Sequence, residues 1–125
     1  MNEPDMLAFA RRFFDAVTGG DLAAVRATYA PDALIWQAHT QKEQSAAENV
    51  AVLGWIKQNI KQFRYEDVRC QVTPTGFVEQ HTTCGLSPSG KEFRMPACIV
   101  VRVEDERIVR LDEYLDSAQV QSLLA

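Results

Sequence analysis

Residues 64–115 read RYEDVRCQVTPTGFVEQHTTCGLSPSGKEFRMPACIVVRVEDERIVRLDEYL, and this stretch decides the fold. Polar and apolar residues alternate along it at the two-residue period of strands. It is divided by Thr73-Pro74-Thr75-Gly76, Ser87-Pro88-Ser89-Gly90 and Asp105-Glu106, each short enough to close a hairpin. The pattern predicts strands over 64–73, 77–86, 91–104 and 107–115. Before residue 64 the period is helical. Leu7, Ala10, Phe13, Phe14 and Val17 recur at steps of three and four, which predicts a helix over 4–17 ended by Gly19-Gly20. Asp21 is a good cap for a second helix carrying Leu22, Val25 and Tyr29 and ended at Pro31. A strand is expected at 32–37. Ser45 and Glu48 then have the spacing of a capping box, opening a third helix with Val50, Leu53, Ile56 and Ile60. Ser117 is expected to cap a last helical turn. Segregated helices and an antiparallel meander imply an α+β fold, a single domain spanning residues 1–125.

At 125 residues, 46% apolar, the chain suits one core. Its formal charge of −4 is interspersed and forms no basic stripe, so nucleic acid is not expected as a partner. With no apolar run of membrane-spanning length and an acidic start at Met1-Asn2-Glu3, no membrane association is expected, and a cytoplasmic location is. Cys70, Cys84 and Cys98 show no zinc-ligand spacing and read as reduced core residues. No phosphate loop or nucleotide fingerprint occurs, so no cofactor is indicated.

The order of elements, with Gly20-Asp21-Leu22, Tyr29-Ala30-Pro31-Asp32-Ala33 and the run from Arg107 to Asp116, resembles the SnoaL-like, ketosteroid-isomerase-like branch of the nuclear-transport-factor-2-like superfamily. The resemblance implies a cone: three N-terminal helices packed on a curved, mainly antiparallel sheet, enclosing a pocket. It also implies a homodimer through the outer sheet face. It does not carry over a known catalytic set. Where ketosteroid isomerases place an Asp base and an oxyanion hole of Tyr and protonated Asp, this chain has Gln37, Phe13 and Ile99. A glutamine cannot accept a proton at neutral pH, and Phe and Ile have no proton to donate to an enolate oxygen. Against limonene-epoxide hydrolases, the Arg falls on Gln80 and its neighbouring Asp on Thr82. The Asn falls on Gln37 and the Tyr on Ile35, so only the other Asp keeps an ionisable group, at Glu113.

The residues read alone point to the same position. Glu113 alternates with Val109, Leu111 and Leu115, a lone carboxylate on an apolar strand face, suited to proton transfer or to pairing with an arginine. Reflection about the two turns places Gln80, Ala97 and Glu113 in one row, so Gln80 and Thr82 are expected to line the pocket with Phe13, Ile35, Gln37 and Ile99. His39, at the pocket mouth, is the candidate acid/base partner of Glu113. His81 and Tyr114 are expected on the outer face, at an interface. No metal site is expected. Two functions stay open: a cofactor-free isomerase, hydrolase or dehydratase acting on a small hydrophobic molecule through Glu113, or a non-catalytic ligand-binding or dimerisation module.

Overall fold

Helix α1 (Glu3–Gly19) begins where the Asn2 side chain accepts from the Asp5 backbone and ends where Gly20 adopts a left-handed φ of 73°. The computed structural model describes residues 1–125. α1 buries Met6, Phe9, Ala10, Phe13, Phe14 and Val17, while Leu7, counted above in the apolar stripe, is exposed. Asp21 caps α2 (Leu22–Thr28), and β1 (Tyr29–Gln37) follows directly. The second helix therefore stops before Pro31, which lies inside β1 where its pairing with a neighbour is irregular, a place where a strand tolerates proline. β2 (Lys42–Ser45) was not expected, because four mostly polar residues carry no readable alternation. Both halves of the Ser45–Glu48 capping box form at the start of α3 (Ala46–Asn59).

β3 (Lys61–Thr73), β4 (Gly76–Leu86), β5 (Glu92–Glu104) and β6 (Arg107–Leu115) form the meander, and α4 (Ser117–Leu124) follows, capped by Asp116 rather than Ser117. The six strands run in the order β2-β1-β6-β5-β4-β3, with only β1 and β6 parallel. Two irregularities in β3 coincide with left-handed Gln62 and Asp67, and such bulges bend a strand and increase its twist. The helices cover one face of the resulting curved, unclosed sheet. Gly76 opens β4 where a Cβ would collide with the Val101 carbonyl, so no larger residue fits without a shift. No helix is long and apolar enough to cross a membrane.

Register corrects one part of the sequence reading. Gln80 pairs with Cys98, and Glu113 with Ile99, so the row expected at Gln80, Ala97 and Glu113 does not form. The β4–β5 pairing differs from the reflected one by a single residue, which reverses the face of every β4 side chain. The β5–β6 pairing differs by two, through the turn and an irregularity at Arg102/Val103, and leaves the faces of Ala97 and Glu113 unchanged. Phe77, Glu79, His81 and Thr83 consequently point into the domain and are buried.

Candidate functional site

A cavity of about 450 Å³ lies between the helices and the inner face of the sheet, and 18 of its 25 lining residues are hydrophobic. Parallel pairing of β1 with β6 places Gln37 beside Glu113, and the Gln37 Nε2 donates to Glu113 Oε1 at 2.8 Å. The backbone continues the pairing, with Ala38 N–H donating to the Glu113 carbonyl at 2.9 Å. A carboxylate is thus fixed on an apolar wall by an amide from the neighbouring strand. Glu113 enters none of the ion pairs of the chain, and the cavity wall contains no Lys or Arg.

Two phenols share this wall. Tyr29, 2% exposed, donates from its hydroxyl to Asn49 Oδ1 at 2.7 Å, and the Asn49 amide in turn reaches Gln44 at 3.5 Å. Burial first, and the Glu113 charge second, push its phenol above the ordinary range. Tyr65 is shifted in the same direction by burial and then by the charges of Glu113 and Glu79. A raised phenol value means that the fold favours the neutral form. The stability this contributes is complete below about pH 10 and is lost as pH rises through the folded-state values. Spectrophotometric titration at 295 nm should show Tyr29 and Tyr65 ionising above the ordinary phenol range and together with alkaline unfolding. Ionisation of all three tyrosines near pH 10 in the folded protein would contradict this placement.

Of the residues singled out in the sequence, Phe13, Ile35, Gln37, His39, Ile99 and Glu113 lie on the wall of this one cavity. Gln80 and Thr82 do not: they line a shallow depression on the opposite face of the sheet, near Tyr114, because the one-residue register difference turns them outward. His81 moves in the reverse sense. Instead of facing outward it is 3% exposed, its Nδ1 lies 3.0 Å from Glu79 Oε2, and its ring stacks on Tyr65 at 3.6 Å and 10°. His81 Nε2 is buried without a partner, as is His39 Nδ1. Tyr114 stays outside, 49% exposed and packed at 5.3 Å against Trp36.

The sequence reading missed Tyr29, Asn49 and Tyr65 as wall residues, and also α4, which adds Ser117, Val120 and Leu123 to the cavity. Spacing puts Tyr29 on the second helix, whereas it is the first residue of β1, and nothing in the spacing separates a core aromatic from a cavity lining. No group of three or more His, Cys, Asp or Glu side chains is placed to hold a metal ion. The polar groups of the wall include one carboxylate, one imidazole, two phenols, neutral amides and the hydroxyls of Thr83 and Ser117.

Among curated proteins, none matches this sequence. Solved structures match over nearly the whole chain. An NTF2-like protein of unknown function from Burkholderia pseudomallei superposes with a TM-score of 0.84 at 19% identity, covering 100% of both chains. An LEH-like epoxide hydrolase from M. tuberculosis gives 0.78 at 15% identity, over 96% of this chain and 90% of its own. A hypothetical protein with a ketosteroid isomerase-like fold from Catenulispora acidiphila, in complex with trimethylamine, gives 0.78 at 15% identity, over 94% and 93%. These likenesses establish the nuclear-transport-factor-2-like cone. Residues 10–111 match the model of the SnoaL-like domain, and the chain belongs to that family.

Proposed function

We propose that the cavity binds a small, largely hydrophobic molecule and that Glu113 exchanges a proton with it, as a cofactor-independent isomerase, hydrolase or dehydratase. The observation that carries this reading is the Gln37–Glu113 couple: a carboxylate without a counter-ion, held by one amide, on the wall of an apolar cavity. Gln37 orients the carboxylate by occupying one oxygen. His39, on the same wall, is the second proton-transfer group in this reading. That a protein of this fold was crystallised with trimethylamine supports a small-molecule occupant. The test is turnover of a panel of small apolar epoxides, allylic alcohols and enolisable ketones by the wild type and by Glu113→Gln. Equal turnover by both would favour the non-catalytic binding module.

The outer face supports a second, compatible reading, a homodimer. Val68, Val100 and Tyr114 are 47%, 40% and 49% exposed there, apolar area that a second copy of the chain would cover. Sedimentation should give a dimer for the wild type and a monomer for Val100→Arg, and a wild-type monomer would end this reading. Three free cysteines accord with a cytoplasmic, reducing location.

A further inference from the structure

Five aromatic rings of the cavity wall touch in sequence. Tyr29 meets Phe13 at 5.6 Å between ring centroids, Phe13 meets Phe14 at 5.0 Å, Phe14 meets Tyr65 at 6.0 Å, and Tyr65 meets Phe63 at 5.7 Å. Trp55 adds a sixth ring, 39% exposed. Among these rings stands Glu113, the one charged side chain of an otherwise neutral wall, save for the titratable His39. A second carboxylate, Glu79, lies behind Tyr65 and is paired with His81.

Three kinds of occupant can be weighed against this wall. An anion would meet an uncompensated carboxylate and find no Lys or Arg. A neutral hydrocarbon would strip water from Glu113 and return nothing for it, since a desolvated charge needs a partner. A cation supplies that partner, and ring faces carry the negative side of their quadrupole toward it. The charge of Glu113 is felt at both phenols and that of Glu79 at Tyr65, so negative charge already faces these two rings.

We infer that the preferred occupant is a compact apolar cation, an organic ammonium with hydrocarbon substituents, held with Glu113 as its counter-ion and the Tyr29-Phe13-Phe14-Tyr65-Phe63 rings around it. This rests on the reading of the cavity as a ligand site and narrows its ligand class. Glu113 in contact with such a group lies at the N–H, or at the C–H that an adjacent positive centre acidifies, so the counter-ion and proton-transfer roles fall on the same oxygen.

The test uses probes of one shape and three charges: phenyltrimethylammonium, its neutral isostere tert-butylbenzene, and benzenesulfonate. Each is titrated into the full chain and followed by backbone amide chemical shifts. The cation should bind at least about tenfold more tightly than the isostere, and benzenesulfonate more weakly than either. Glu113→Gln should abolish the preference for the cation, and the affinity for tert-butylbenzene should stay the same or rise, because the neutral probe no longer strips water from a charge. His39→Gln, which removes the only competing source of positive charge on the wall, should keep or raise the preference. A wild type that binds the neutral probe as tightly as the cation overturns the inference while leaving the cavity a ligand site, as does a preference that survives Glu113→Gln. Absence of binding by all three probes overturns both.

Discussion

Glu113→Gln is expected to lower kcat on a substrate found in the panel by about 10²- to 10⁴-fold, the range that a positioned proton-transfer group contributes. Its size follows from the isolation of the carboxylate. No other carboxylate lies on the cavity wall, and the Gln37 amide that holds Glu113 neither accepts nor releases a proton near neutral pH. The substitution is nearly isosteric. A glutamine oxygen can still accept from Gln37 Nε2, so the β1–β6 junction keeps its hydrogen bond. Removing an unpaired charge from an apolar wall should leave thermal stability unchanged or raise it slightly. The expected signature is therefore lost turnover in a protein that melts at or above the wild-type temperature. Lost turnover with a lowered melting temperature would instead assign Glu113 a structural role, and unchanged kcat would exclude it from the chemistry.

Phe77→Ala should be the most damaging of the core truncations, costing about 3–5 kcal/mol. Phe77 is completely buried, packs edge-on against Phe9 and Phe14, and does not line the cavity. Its removal creates a void between α1 and the sheet that the backbone of two regular elements cannot close. Leu53, by contrast, is half-buried and already borders open cavity space, so Leu53→Ala loses contacts on one side only. Chemical denaturation of both variants should give a cost for Leu53→Ala below half that of Phe77→Ala. Equal costs would mean that the space beside Leu53 is closed in solution.

Much of the fold was legible because its signals are local. Alternation after residue 63, three turn clusters and the Ser45–Glu48 box each specify an element without reference to any other. Glu113 was legible for the same reason, as the single ionisable group among apolar alternates on its strand. What was not legible depends on parity. Whether Gln80 or His81 faces inward is decided by how the turn at 87–90 sets the β4–β5 pairing, a difference of one residue that hydrophobicity could not arbitrate. The inward face of β4 carries Glu79 and His81, which are joined by a hydrogen bond through His81 Nδ1 and so look polar in sequence while being buried in space. β2 escaped notice because Lys42–Ser45 is held by pairing with β1 and by the Arg110–Glu43 contact at 2.6 Å, neither of which has a sequence signature. The phenols of the wall could not be told from core aromatics, since the distinction lies in the empty volume beside them.

A crystal structure of the protein with phenyltrimethylammonium tests most directly whether Glu113 faces a cavity that takes a ligand. It should place the ligand between α3 and the β5–β6 surface, with the cationic centre against the Glu113 carboxylate, the Gln37–Glu113 hydrogen bond intact and the Phe13, Phe14 and Tyr65 rings around it. A Glu113 side chain turned to bulk solvent, with the cavity filled by the chain's own residues, would contradict that placement.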